Sequence, residues 1–417
     1  MKKLLTILLS AIMAVACCFG LTACGEDDEF KVGLICLHGE TSTYDKNFID
    51  AFKAACRAKG LTDEQFIIKT DIPESDACYT AAADLVDQGC DLIFADSFGH
   101  EDYMIKAAKE FRDVYFFHAT GTKAHTANLN NYHNAFASIF EGRYVAGVAA
   151  GLKLADMEDK GQLKAENIAA DGSIKVGYVG AWTFAEVISG FTSWYLGVNK
   201  GLALAGSAKK ASMEVQFTGS WYDEAAEKEA ANLLISRGAA LISQHADSWG
   251  APTACEQAGV PNVSYNGSTA ANCPNTFIIS SRINWQPYYE HIIDSVKNNN
   301  RVAHDWSGSF GDTWFDGAVA LTDLGNAAVE GTAEVLNQVI AELKAGTLKV
   351  FDCSTFTVGG EALTSYLADV DDFGDYVGET EAIKTVNGIT YFAESEFRAG
   401  PYFNINIDGI TYLNTKY

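Results

Sequence analysis

A chain of 417 residues with 48% hydrophobic content is long enough to bury a large core and to divide into more than one domain. Its formal net charge of −24 is spread along the chain. Such a charge repels phosphate backbones and anionic headgroups, which excludes nucleic acid as a partner and basic patches as the means of membrane attachment.

Residues 1–23 begin with Lys2 and Lys3, run apolar to Leu21 and read as an export signal. The run is too short, and wrongly flanked, for a membrane-spanning helix. Leu21-Thr22-Ala23-Cys24 has the form of a lipobox, in which the Cys thiol is acylated and the chain is cut just before it. The expectation is a signal peptide at 1–23, a lipidated Cys24 and an acidic tether at 24–30, which hold the protein on the extracytoplasmic face of the cell membrane. Of the ten cysteines, Cys17 and Cys18 leave with the signal. The seven beyond Cys24 include no C-x-x-C and are odd in number, so neither a zinc site nor a disulfide framework is expected. They read as buried small apolar residues, with one disulfide left open and no pair favoured.

From Lys31 onward strands and helices alternate. Val32 to Leu37 is an apolar run of the kind a buried parallel strand needs. A helix is expected over Asn47 to Lys59, a strand at Phe66 to Ile68, a helix over Tyr79 to Gln88 closed by Gly89, and a strand at Asp91 to Ala95. A helix over Glu101 to Phe111 and a strand at Val114 to Phe117 follow. The order then restarts. Ile174 to Val179 restates the first strand and Ala240 to Ser243 restates Asp91 to Ala95, with helices over Ala185 to Lys200 and Asp223 to Arg237 between them. Two tandem α/β units therefore predict two lobes, each a parallel sheet flanked by helices, with ligand held outside the carboxyl ends of the strands. The boundaries read as 31–133 with 267–318 for lobe 1 and 134–266 with 319–349 for lobe 2. Residues 350–417 carry Gly-Gly, Asn-Gly and Asp-Gly turns between short β-prone runs and read as a β-rich extension of hairpins.

Several stretches resemble one family in collinear order: KVGLICLHGETSTYDKNFIDAF from Lys31, FFHATG from Phe116, NAFASIFEGRYVAGVAAG from Asn134 and VGYVGAWTFAEVISGF from Val176. SWYDEAAEKEAANLLISRGAALISQHADS from Ser220 and SRINWQPYYEHI from Ser281 continue the match. They are similar to the basic membrane protein family, purine-nucleoside-receptor-like substrate-binding lipoproteins of ABC transporters. The resemblance spans roughly Lys31 to Leu321. It implies a type I periplasmic-binding-protein-like fold, a permease partner and a purine base or nucleoside as ligand.

A flat heteroaromatic ligand wants rings on its faces and carboxylates, amides or backbone donors at its edge. The loops after the strands offer Tyr44, Asn47, Phe98 and Thr120 in the first unit. They offer Trp182, Phe184, Trp221, His245 and Asp247 in the second, and Asn266 and Trp285 near the later crossover. Tyr44 and Trp182 occupy equivalent loops and are expected to stack on the ligand from opposite lobes. Asp223 fits a helix N-cap better than a ligand contact, Asp45 fits either role, and His118 fits a structural one. Asn266 stands where many members of the family carry an Asp that takes ribose hydroxyls, which leaves a bare nucleobase open. No nucleophile elbow, P-loop or G-x-G-x-x-G after a strand occurs, so no catalytic residue, cofactor or metal is expected. An exported nucleoside-processing enzyme and a surface interaction lipoprotein are the competing classes.

Overall fold

The computed structural model of the protein describes residues 29–311, 317–370 and 377–415. The expected signal, Cys24 and most of the acidic tether lie outside them. In chain order the first elements are β1 (Lys31–Ile35), α1 (Thr43–Ala58), β2 (Phe66–Lys69), α2 (Asp76–Asp87), β3 (Cys90–Ala95), α3 (Glu101–Glu110), β4 (Tyr115–Ala119) and β5 (Tyr132–Ala135). There follow α4 (Ile139–Asp159), β6 (Ile174–Gly180), α5 (Ala185–Leu204), β7 (Ala211–Phe217), α6 (Glu224–Ser236), β8 (Ile242–Gln244), α7 (Gly250–Ala258), β9 (Asn262–Tyr265) and β10 (Phe277–Ile283). Then come α8 (Gln286–Lys297), β11 (Asp305–Trp306), β12 (Val319–Leu321) and α9 (Thr332–Lys344). The extension carries β13 (Leu367–Ala368), β14 (Thr380–Glu381), β15 (Ile383–Val386), β16 (Ile389–Phe392) and β17 (Ile410–Tyr412).

Two sheets organise the chain. The first is parallel throughout, in the order β11-β5-β4-β3-β1-β2. The second runs β12-β10-β9-β8-β6-β7-β17, parallel except where β12 meets β10. Val32, Leu34 and Ile35 of β1, and Val176, Tyr178 and Val179 of β6, are buried, as strands covered on both faces must be. Each lobe is thus an α/β layer structure, and the architecture is that of a two-lobed periplasmic-binding-protein-like fold.

The segment 267–318, expected in lobe 1, is divided. β10 pairs with β9 in the second sheet, α8 packs against α1 in lobe 1, and β11 joins β5 of the first sheet. The chain therefore crosses between lobes after β5, after β10 and after β11. The apolar run of β10 suits either sheet; its register with β9, Ser280 beside Ser264, is a tertiary choice.

α4 and α5 lie backbone to backbone. A Cβ on Gly147 or Gly151 would collide with the carbonyls of Trp194 and Val198, and one on Gly197 or Gly201 with those of Tyr144 and Val148. Only glycine permits this approach, so the reciprocal glycines lock the entry helix of lobe 2 to the helix after β6. The extension is only partly the expected appendage. β15 and β16 form a hairpin about Asn387-Gly388, but β17 adds in parallel to β7 and becomes the edge of the second sheet. The seven cysteines from Cys36 to Cys353 are free and buried. Among the described residues no helix is long and apolar enough to cross a membrane.

Candidate ligand-binding cleft

Residues just beyond β1, β3, β4, β6, β7 and β8 line one cavity of about 540 Å³, a size usual for small-molecule sites. Lobe 1 presents His38, Tyr44, Asp45, Phe98 and Thr120. Tyr44 and Asp45 project from the first turn of α1, which begins at Thr43 rather than at the expected Asn47. Ser42 is the reason: its hydroxyl accepts the Asp45 N–H at 3.2 Å and caps the helix. Asp45 accepts the His38 N–H at 2.8 Å, and the Tyr44 hydroxyl donates to the Asp96 carbonyl at 2.7 Å. Thr120 sits in the left-handed region at φ 65°, strained for a β-branched residue and of a kind concentrated at functional sites.

Lobe 2 presents Phe184, Glu186, Trp221, His245 and Asp247. His245 Nε2 lies 2.6 Å from Glu186 Oε2, and its Nδ1 lies 3.0 Å from Arg143 Nη2. Arginine can only donate, so Nδ1 accepts and Nε2–H donates to the carboxylate; the network assigns this neutral tautomer. Burial holds the imidazole below its ordinary pKa, against the pull of Glu186. Arg143 also donates to the Gln244 carbonyl at 2.8 Å and lies over the Tyr265 ring. Its buried charge is balanced through His245 by Glu186. Asp247 is buried, and its carboxylate accepts a long 3.4 Å hydrogen bond from the Asn266 amide. Burial first, then Asp45, Glu227 and Glu186, push its carboxyl well above the usual range. Its neutral, hydrogen-donating form is thereby favoured, so it can either donate to a ring nitrogen or accept from a ring N–H.

The lobes touch across the cleft. Phe98 and Phe184 stand 5.2 Å apart between ring centroids, as do His38 and Tyr222. Thr43 donates from its N–H and hydroxyl to the Asp247 carbonyl at 3.0 and 3.1 Å.

Of the residues expected at the site, the structure brings Tyr44, Phe98, Thr120, Phe184, Trp221, His245 and Asp247 to the cavity wall. The other four lie elsewhere. Trp182 stands behind Phe184, stacked on it at 5.9 Å. Asn266 stands behind Asp247, which it supports. Asn47 donates to the Ile283 carbonyl at 2.9 Å and ties α1 to β10 at the crossover. Trp285 is buried and stacks on Phe48 at 4.5 Å, a core residue of lobe 1. Asp223 caps α6, accepting the Ala226 N–H at 2.9 Å, and His118 is buried with its Nε2 2.7 Å from the Ser97 carbonyl.

Sequence reasoning missed Glu186, Arg143 and the whole contribution of the extension. Glu186 carried the signal of an acidic residue in the first turn of a helix beside two rings; Arg143 lay inside a glycine-rich helical run with no signal of its own. Tyr366, Arg398, Tyr402 and Asn404, from the extension, also line the cavity.

Comparison with known proteins shows the family. Residues 44–311 match the family described as ABC transporter substrate-binding protein, PnrA-like. A purine-binding protein of Brucella abortus is 30% identical over 302 residues, covering 68% of this chain and 76% of that protein. A putative ABC transporter glucose-binding protein of Haloferax volcanii is 29% identical over 219 residues, which span 52% of this chain and about half, 49%, of that protein. Among solved structures, an ABC transporter solute-binding protein from Conexibacter woesei superposes with a TM-score of 0.58 at 19% identity, covering 77% of this chain and 98% of that one. Family and fold are those of extracytoplasmic solute-binding proteins rather than enzymes. With its match extending over most of both lobes, the chain belongs to the PnrA-like family of ABC transporter substrate-binding proteins.

Proposed function

We propose that the cleft captures a purine base or nucleoside and delivers it to an ABC permease, with the protein held at the membrane by an acylated Cys24. The observation that carries the ligand class is a cavity with rings on both lobes and a buried carboxyl of raised pKa at its floor. Tyr44 and Phe98 from lobe 1, with Phe184 and Trp221 from lobe 2, offer faces to a flat ring. Asp247, in either protonation state, suits an edge that alternates donors and acceptors. The named Brucella relative binds purine, which points the same way.

A planar heterocycle held between two rings needs roughly 7 Å between their centroids, two van der Waals gaps. Phe98 and Phe184 at 5.2 Å must part to admit one. Entry of ligand and the hinge motion of the lobes are coupled in this reading. Calorimetry against adenine, guanine, adenosine, guanosine and glucose tests it. Binding of a purine with no response to glucose is expected; glucose binding without purine binding overturns it. For the anchor, Cys24→Ser is expected to release the protein from membranes, and unchanged attachment with no lipid on the wild-type N-terminus overturns that part.

A further inference from the structure

Behind the lobe 1 wall of the cleft, the carboxyl ends of β1 and β3 meet the first turn of α1. Cys36, Asp45 and Asp96 come together there. The Cys36 thiol and one oxygen from each carboxylate all lie within 4.8 Å of one another. All three side chains are buried, Cys36 and Asp96 completely. Spacing in the sequence does not mark the group, because each member arrives on a different segment.

Backbone donors orient both carboxylates. Asp45 Oδ1 accepts the His38 N–H at 2.8 Å, and Asp96 Oδ1 accepts the Leu37 N–H at 3.2 Å. Bonds of this kind stand behind metal-ligating carboxylates and fix their aim. The other oxygen of Asp96, Oδ2, is buried and has no hydrogen-bond partner among the described residues. Such an oxygen is costly to leave unbonded, and its neighbours offer it little: an ionised carboxylate donates nothing and a thiol donates weakly. Burial first, then Asp45, push the Asp96 carboxyl well above its ordinary range; burial, then Asp96 and Asp45, do the same to the Cys36 thiol. A bound cation reverses that balance, because it favours the charged form of every ligand. The donor set selects the cation. Magnesium and calcium take oxygen ligands and disfavour sulfur, whereas one thiolate with two carboxylates suits zinc. Zinc bonds of about 2.0–2.3 Å place tetrahedral ligand atoms about 3.3–3.8 Å apart, so the group needs little contraction. Leu37, His38 and Asp45 also line the cavity, so water can reach a fourth position from that side.

We propose that Cys36, Asp45 and Asp96 form a zinc site behind the lobe 1 wall, which fastens the end of β1, the first turn of α1 and the end of β3 into one unit. Binding releases the thiol proton, and any proton on the carboxyls, to solvent. The site does not depend on which ligand the cleft takes.

Elemental analysis of the full-length protein expressed with zinc, and zinc calorimetry of the same protein after chelation, test it. Wild type is expected to hold one zinc per chain and to rebind one after chelation, with no response to magnesium. Asp96→Asn keeps an oxygen to accept the Leu37 N–H, and Cys36→Ala removes the sulfur. Each is expected to weaken zinc binding at least tenfold, the cost of one lost ligand. Cys255→Ala, which removes another buried thiol, on α7, is expected to bind zinc as wild type does. Cobalt(II) in place of zinc is expected to show thiolate charge-transfer absorption in wild type and Cys255→Ala, and to lose it in Cys36→Ala. Thermal melts show that each variant is folded, and zinc is expected to raise the melting temperature of wild type and Cys255→Ala alone. Wild type that holds no zinc, zinc bound equally by all four proteins, no thiolate absorption in wild type, or magnesium bound in place of zinc each overturns the site.

Discussion

The two lobes present walls of unequal freedom. On lobe 1 the buried carboxylates facing the cleft already hold backbone: Asp45 accepts the His38 N–H, and Glu101 accepts those of Thr122 and Lys123. On lobe 2, Asp247 has one long side-chain bond among the described residues, and Glu186 is held by a histidine that is itself held by a buried arginine. A group committed to its own backbone shapes a site; a buried group with little else to bond gains most from a ligand. The comparison teaches that lobe 1 acts as a platform and that recognition is concentrated on lobe 2.

The largest test of that asymmetry is Arg143→Ala. Arg143 is the buried cation balancing Glu186 through His245, and removing one member of such a buried set costs about 3–5 kcal/mol. Chemical denaturation should show a loss of that order, with the ligand site of lobe 2 disorganised along with it. Removing the exposed pair Lys106–Asp76 on lobe 1 should change stability by less than about 1 kcal/mol. Equal losses would erase the contrast between the walls.

The rings come next. Phe184 faces the cavity and Trp182 backs it, so Phe184→Ala should cost about 1–3 kcal/mol of purine affinity, a stacked base's worth. Trp182→Ala should cost less, since Trp182 does not line the cavity and stacks on Phe184, which does. Titration of both variants with the same purine decides the order. A greater loss from Trp182→Ala would restore the expectation that it stacks directly opposite Tyr44. Asp247→Asn keeps the shape of the floor but fixes one donor and one acceptor in place of a carboxyl that serves as either. It should reorder adenine and guanine in a competition assay by about 1 kcal/mol rather than abolish binding. An unchanged order would remove Asp247 from the edge of the ligand.

The pattern of alternating apolar runs made the two-lobed α/β fold legible, because buried parallel strands such as Val32–Leu34 and Val176–Val179 must be apolar on both faces. What pattern does not encode is partner choice. β10 reads the same whichever sheet it joins, and β17 reads as one more short run beside an Asp-Gly turn until it pairs with β7. At the site, Trp182 and Phe184 are both visible in the sequence as aromatics and stack on one another, but which of them meets the cavity depends on the turn after β6. Trp285 misled for a related reason: a ring near a strand end serves a core as readily as a cleft, and here it fills the space over Phe48. The extension was invisible as part of the site because its residues reach the cavity only through tertiary contacts, the Ala399 bond to Asp305 of lobe 1 and the pairing of β17 with β7 of lobe 2.

The smallest expected effect concerns pH, and it separates the extension from the lobes. Burial pushes Glu141 and Glu227 up to about 7 and Glu394, in the extension, up to about 8. In the unfolded chain these carboxyls ionise near their ordinary value, so above it the unfolded state holds fewer protons than the folded one. Their stabilising contribution is complete at acid pH and is lost as pH rises through the folded values. Buried His100 and His133, lowered to about 4, work the other way: their contribution is present above the ordinary histidine value and is lost as pH falls. The two sets oppose each other below about pH 6.5, where unfolded histidine titrates. Above it only the carboxyls remain, and the melting temperature should fall between pH 6.5 and 8.5. Glu394→Gln keeps an oxygen to accept the Tyr402 N–H and has no proton to lose. Melts across that window should therefore fall less steeply for Glu394→Gln than for wild type, with the gap between the two curves widening as pH rises toward about 8 and levelling off above it. Parallel curves would mean that Glu394 is ionised throughout, and that the extension carries no share of the alkaline loss.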